Sequence, residues 1–394
     1  MQRSYDVVVI GGGVMGLAIA AHLRQLGAGS VALLERRFLG AGESGKSGAI
    51  LRQHYSHVQT IRMARTSLAE FATFQERTGR DIGFRKLGML FVLPIADRPL
   101  LETNVRLQQS EGVQTSILSA DDLQALEPRG RFEAVVAAWE PDAGCVDPVR
   151  TVGAFGAEAT RLGVDIVLGC QVTAVHAEPG GEGQRIVGVE TNLGRIATRQ
   201  VVAATGPWTA ALLATLGVEL PIEVVRPQQA FLRPPADFGD EHPIVADLPN
   251  EVYYKPEGTG TRVGLISYDN DARVDPDTYD EGIESEFLRD ARERVQRRLP
   301  AYARAVLWGG GSALYTITPD GQAAIGPLAG LEGFVLVTGF CGHGFKLSPA
   351  VGRGVAELVV HGASRTLDVD FFDPGRFRRR QPAPAGGYRY KILG

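Results

Sequence analysis

Only three cysteines occur in the 394 residues, Cys145, Cys170 and Cys341, and no two of them form a CxxC pair. That scarcity excludes a disulfide framework and a cysteine-ligated zinc module, and it suits a reducing compartment. A dominant charge is missing as well: 41 Lys and Arg stand against 45 Asp and Glu, for a formal net charge of −4. No global field therefore recruits nucleic acid or an anionic membrane. No apolar run approaches the ~20 residues that a bilayer span requires. The run entered at Val7 meets three glycines by Gly13, too soon for the core of a signal peptide. These absences predict a cytoplasmic protein with no membrane span and no nucleic-acid partner.

Glycine, by contrast, is abundant: 49 of 394 residues, about 12% against a usual ~7%. No collagen-like period or low-complexity tract absorbs the excess. The glycines must serve tight turns or places where backbone approaches a ligand closely. The length exceeds twice the common domain size and predicts two connected domains. With 44% hydrophobic residues the chain can bury a sizeable core.

Residues 6–10 (DVVVI) read as a strand buried on both faces, as parallel strands usually are. Glycines follow, then a helical pattern from Val14 to Leu26 that stops at Gly27, then a second buried strand from Val31 that closes on Glu35. Together they form a βαβ unit. Further on, 58–78, 97–111, 148–162 and 283–298 read as helices, and 84–93, 164–168 and 334–338 as strands. The segments 171–176, 186–191 and 195–203 read as a three-stranded antiparallel meander. Ser348 followed by Pro349 has the form of an N-cap and first turn, with Gly362 as the C-terminal stop. The Pro, Gly and Arg-rich residues 373–394 lack a periodic core pattern and read as a docking arm or a poorly ordered tail.

Gly11, Gly13 and Gly16 fall in the GxGxxG spacing. The first allows a tight turn, the second lets backbone approach a pyrophosphate, and the third lets helix and strand pack closely. The N–H groups at the start of the following helix, Val14 and Met15 among them, and the positive end of its dipole then meet the phosphates. Glu35 closes the next strand, where a carboxylate accepts ribose hydroxyls and repels a 2′-phosphate. The motif by itself does not separate NAD from FAD.

Four blocks together resemble the D-amino-acid oxidase/sarcosine oxidase superfamily of FAD-dependent oxidoreductases over nearly the whole chain. They are DVVVIGGGVMGLAIAAHL with LLER, GAGESGKSGAILRQHY at 40–55, WEPDAGCVDPVR at 139–150, and LYTITPDGQAAIGP at 314–327 with TGFCGHGFKLSPAVG at 338–352. The resemblance implies an α/β fold. In it a Rossmann-like FAD-binding domain of the glutathione-reductase type (1–83, 147–225 and 310–372) interleaves with a substrate domain on an antiparallel or mixed sheet (84–146 and 226–309).

For the cofactor the resemblance implies FAD held by Gly11, Gly13, Val14, Met15, Gly16, Glu35 and Arg36. The loop residues Gly42, Glu43, Ser44, Lys46, Ser47 and Gly48 wrap it, with Val172, Gly206 and Trp208 completing that side. Gly342, His343, Gly344, Phe345 and Lys346 lie against the ring. Covalent attachment in the family uses a cysteine or a histidine at positions that are Ala313 and Lys46 here, so the expectation is non-covalent FAD.

For the substrate, monomeric sarcosine oxidases grip a carboxylate with an arginine and a lysine that match Arg52 and Lys346, beside a tyrosine that matches Tyr315. An arginine fork takes a carboxylate bidentately and a lysine adds a point charge. Two alternatives stand beside this reading: Arg52 on the flavin or on a surface carboxylate, and Lys346 on the flavin edge alone. Tyr253 and Tyr254 alternate on one strand, and Tyr254 is the expected pocket residue. Arg262, with Lys255 nearby, matches the lysine above the flavin that serves oxygen chemistry. That departure leaves dehydrogenase activity open.

The expected activity is oxidation of the C–N bond of a small, N-substituted α-amino acid by hydride transfer to flavin N5. The imine formed is hydrolysed, and O2 reoxidises the flavin to give H2O2. The rivals are a dehydrogenase subunit that passes electrons to a protein partner within a homo- or hetero-oligomer, an oxidase of a 2-hydroxy acid or larger amine, and a flavin-binding assembly factor without turnover.

Overall fold

The computed structural model describes residues 2–384 and 386, residues 182 and 270 excepted. Its central layer is a six-stranded sheet in the order Ala324–Pro327, Phe334–Thr338, Val201–Ala203, Val7–Ile10, Val31–Glu35, Val164–Leu168. All neighbours run parallel except the edge strand Ala324–Pro327. Strand alternation divides the core between the two faces. Val7, Val9 and Leu33 pack against one set of residues, while Val8, Ile10 and Leu34 pack against another.

The helices Val14–Gln25, Val58–Ala72, Pro148–Arg161 and Gly344–His361 cover the first face. Val14–Gln25 and Gly344–His361 approach closely because Gly352 meets Ala18, where a Cβ would come within 2.8 Å of the Ala18 backbone. A meander of Val172–Gly180, Gly183–Thr191 and Gly194–Ala197 covers the second face. The expected third strand, 195–203, is therefore two elements. Residues 194–197 finish the meander, and Val201–Ala203 crosses into the central parallel sheet beside Val7–Ile10. An all-apolar run carries no mark of which sheet it joins.

A second sheet has eight strands: Val306–Ser312, Gln228–Arg233, Gly260–Leu265, Val252–Glu257, Ile244–Asp247, Met89–Pro94, Val135–Glu140 and Ser116–Leu118. It is mixed, with Ile244–Asp247 and Met89–Pro94 running parallel and the other pairs antiparallel. The expected strand over 84–93 breaks at Gly88. That residue has φ +67, and a Cβ on it would lie 1.9 Å from the Trp139 ring. The helix Ser285–Arg298 lays Ala291 and Val295 on this sheet, with Ile283 and Phe287 beside them.

The last long helix begins at Gly344, with His343 as its N-cap, so Ser348 and Pro349 lie inside it rather than at its start. Pro349 lacks the N–H that would bond to the Phe345 carbonyl, and the Ser348 hydroxyl donates to that carbonyl instead at 2.8 Å. The first part of the C-terminal segment docks on the body. Arg376 and Asp320 form a buried pair with contacts of 2.8 and 3.0 Å, and the Ala383 N–H donates to Asp320 at 2.9 Å. The remainder of 373–394, residue 385 and residues 387–394, lies outside the described residues.

Candidate functional site

A cavity of about 480 Å3 is lined by residues of both large sheets and of the loops between them. At one end the strand Val7–Ile10 runs into Gly11, whose φ is +111 and where a Cβ would lie 2.4 Å from the Ala204 carbonyl oxygen. Only glycine fits there. Gly16 faces away from the cavity; a Cβ on it would strike the Gly11 carbonyl at 2.0 Å, so it permits the helix to sit on the turn. Gly13, Val14 and Met15 form the wall, and the Val14 N–H donates to Ser44 Oγ at 3.0 Å.

Glu35 caps this end. Its Oε2 accepts from the Gly12 N–H and its Oε1 from the Arg37 N–H, each at 2.8 Å. Beside it the Arg36 guanidinium lies 4.0 Å over the Trp208 ring. Asp277 accepts from Arg36 at 2.8 Å and from Trp208 Nε1 at 2.9 Å. A glycine cradle, a helix N-terminus and a carboxylate at the tip of the next strand fit the phosphates and ribose of a dinucleotide.

The loop carrying Gly42, Glu43, Ser44, Lys46, Ser47 and Gly48 lines the cavity, as do Val172 and Gly206, and a Cβ on Gly206 would lie 3.0 Å from Glu43 Oε2. Glu43 Oε1 accepts from the Thr316 N–H at 3.1 Å, and burial pushes its carboxyl up to about 8. Lys46 is turned to the rim, where its ammonium meets Glu281 Oε1 at 3.1 Å and bonds to the Tyr279 hydroxyl. Ala313 lines the cavity without a nucleophile to offer a flavin.

At the far end, Gly342 through Lys346 form the wall where the helix Gly344–His361 begins. Gly342 has φ +83, and a Cβ on it would lie 2.9 Å from the Tyr315 ring. The buried Arg52 donates to the His54 carbonyl and stacks 4.1 Å from the centroid of Tyr55. Lys346 has no hydrogen-bond or ion-pair partner among the described residues. Burial and the neighbouring Arg52 hold its ammonium well below the usual lysine value. Burial and the same two cations keep His343 neutral, with Nε2 lacking a partner among the described residues. Burial raises the Tyr253 and Tyr315 hydroxyls, so both stay protonated.

Two expected pocket residues are elsewhere. Tyr254 is 1% exposed and faces the core behind the sheet, edge-on to His242 at 5.2 Å, while its neighbour Tyr253 lines the cavity. Strand alternation permits only one of them inside, and the packing of the sheet selects the other one. Arg262 lies on the cavity side of the sheet but one row too far along. It pairs with Lys255 across the strands and is gripped by Glu257, with Nε–Oε2 at 2.6 Å and Nη2–Oε1 at 2.5 Å. Lys255 is bound to the same carboxylate at 3.0 Å. Neither cation lines the cavity.

The sheet face over the cavity reads, strand by strand, Phe91, Ala246, Tyr253, Gly264, Gln229 and Gly311. Of these, Phe91 and Gln229 went unread in the sequence, as did Asp277, and Tyr253 stood there as the alternative to Tyr254. Alternation could place 253 opposite 254, but nothing local said which face met the cavity.

The profile of the DAO family, FAD dependent oxidoreductase, matches residues 6–358. The chain is 29% identical over 380 residues to 4-methylaminobutanoate oxidase (formaldehyde-forming) of Paenarthrobacter nicotinovorans, covering 93% of this chain and 45% of that protein. It is 27% identical to the mitochondrial sarcosine dehydrogenase of Homo sapiens, covering 96% of this chain and 42% of that protein. The chain thus spans less than half the length of these two relatives. The crystal structure of L-proline dehydrogenase from P. horikoshii superposes with a TM-score of 0.88 at 29% identity, covering 97% of this chain and all of that one.

Proposed function

The chain belongs to the FAD-dependent oxidoreductase family, and from that premise we propose that it oxidises the C–N bond of a small, N-substituted α-amino acid. Bound FAD supplies the two-electron sink that converts the amine to an imine, which water hydrolyses. We assign FAD to the half built from residues 1–83, 147–225 and 310–372, with its phosphates at Gly11, Gly13 and the Val14 helix and its ring toward Gly342–Lys346. The substrate half is 84–146 with 226–309.

The observation that carries the reading is Lys346, a partly desolvated amine on the cavity wall beside Arg52 and without a carboxylate partner among the described residues. An ammonium so placed gains its counter-ion from a substrate carboxylate. Arg52 adds a planar fork. Tyr253 and Tyr315, both protonated, offer hydroxyls to the amine, and the apolar side chains of Phe91, Met89 and Ile266 keep water from the reacting carbon. The activities named for the N-methyl amine oxidase, the sarcosine dehydrogenase and the proline dehydrogenase support the same class of secondary amine.

The test is anaerobic bleaching of the flavin by sarcosine, other N-methyl amino acids, L-proline and free amino acids. At least one secondary amino acid is expected to bleach it. Arg52→Ala should raise KM for that substrate by about a hundredfold, a charge-assisted pair, with flavin content unchanged. Flavin loss, or no change, would remove Arg52 from the carboxylate site.

A second reading concerns the acceptor. Reducing O2 builds negative charge beside the flavin, which an uncompensated cation favours. Arg262 and Lys255 are both tied to the single carboxylate of Glu257, and neither lines the cavity. That supports an acceptor other than O2, and sluggish reoxidation of the reduced flavin by air in stopped flow is the expected result. We place the protein in the cytoplasm, on three free buried thiols. No described helix is long and apolar enough to cross a membrane.

A further inference from the structure

Gln229 stands on the cavity-facing row of the eight-stranded sheet and is 6% exposed. Its strand neighbours in that row are Gly264 on one side and Gly311 on the other, so no side chain flanks it directly. The Tyr253 ring leans over Gly264, where a Cβ would lie 2.4 Å from it. The Gln229 Oε1 accepts a hydrogen bond from Arg262 Nη1.

Arg262 is itself fixed by its two bonds to Glu257 and also donates to the Lys46 carbonyl at 3.2 Å. A guanidinium has donors only. The amide therefore cannot turn over, because its NH2 would then face an N–H of Arg262. The Nε2 group is left on the other side, with no acceptor among the described residues. A donor on a cavity wall with no acceptor from the protein is completed by what fills the cavity.

The position says which ligand. Four inter-strand steps separate Phe91, beside Arg52, from Gln229, roughly 19 Å at ~4.8 Å per step. A small amino acid held at Arg52 does not reach that far. The elongated cofactor does, since the Lys46 carbonyl that Arg262 touches belongs to the glycine-rich loop that lines the cavity.

We propose that Gln229 Nε2 donates a hydrogen bond to an acceptor atom of bound FAD, and that Arg262 is the positioning residue that holds the amide in that sense. This rests on FAD as the cofactor and not on the choice of amino acid. Two variants separate donation from support. Gln229→Glu keeps an oxygen for Arg262 but replaces the NH2 with an acceptor; Gln229→Met removes both.

Apoprotein of each is titrated with FAD by the quenching of flavin fluorescence, and the visible flavin band of the loaded protein is recorded. Both variants should bind FAD about tenfold more weakly, with a displaced flavin band. Arg262→Met, in which the amide is free to turn, should show the same displacement in part. If Gln229→Glu binds FAD as the natural protein does and only Gln229→Met fails, Gln229 merely supports Arg262 and the proposal falls. It falls too if FAD binding and the band are unchanged while the spectral response to added L-proline or sarcosine is lost, since the donor then faces substrate. Unchanged behaviour of Arg262→Met removes Arg262 as the positioning residue. The FAD titration and the flavin band require no turnover, so these two readouts stand apart from the bleaching experiment.

Discussion

At the scale of the residue, burial raises the Glu43 carboxyl from an ordinary 4.5 to about 8 despite the opposing hydrogen bond from the Thr316 N–H, so the folded chain holds a proton that the unfolded chain releases. The folded state binds more protons between those values, and stability must fall as pH rises through that window. It is full below about pH 4.5 and lost progressively toward pH 8. Glu43→Gln has the shape of the protonated acid and does not titrate. Its Tm is therefore expected to gain on that of the natural protein as pH is raised from 5 to 8; a gap that stays constant with pH would mean Glu43 is ionised throughout. Single residues also differ in how far they could be read beforehand. Gly11 and Glu35 are fixed by the local turn and the end of the next strand, so their spacing suffices. Tyr253 against Tyr254 is decided by the sheet that packs behind them, and Gln229 has no local signal at all.

At the scale of the element, the Ser348–Pro349 pair shows how a local rule fails. A serine before a proline is a sound start signal when the preceding residues are extended. Here they are helical from Gly344, and the serine repairs the hydrogen bond that the proline removes. Ser348→Ala should leave the buried Phe345 carbonyl without its donor and cost about 1–3 kcal/mol, seen as a lower Tm. Pro349→Ala in the same chain restores an N–H at the proper position, so the double variant should recover most of that loss. Additive losses would show that the hydroxyl has another role. The segment 195–203 failed for a related reason: Val201–Ala203 is apolar on both faces, which marks a buried strand but not its partner.

For the whole molecule, three separate stretches of the chain build the central sheet, and the C-terminal segment closes it. Arg376 and Asp320, each 4% exposed, form the clasp between that segment and the loop after Tyr315–Ile317. Breaking a buried pair from one side strands the other charge, at about 3–5 kcal/mol. Arg376→Ala should unfold at clearly lower denaturant, and adding Asp320→Asn should return part of the loss. A surface-like loss below about 1 kcal/mol would mean that the segment does not hold the body together. The sequence by itself determined the dinucleotide turn, the helices with clear apolar periods, the family and the cations Arg52 and Lys346, because each is written in contiguous residues whose spacing follows backbone geometry. Only the tertiary structure decided which strand face meets the cavity, that Glu257 draws Arg262 and Lys255 away from it, and that Gln229 and Asp277 join its wall. Those outcomes depend on register between strands far apart in the chain, where a shift of one residue exchanges the inside for the outside.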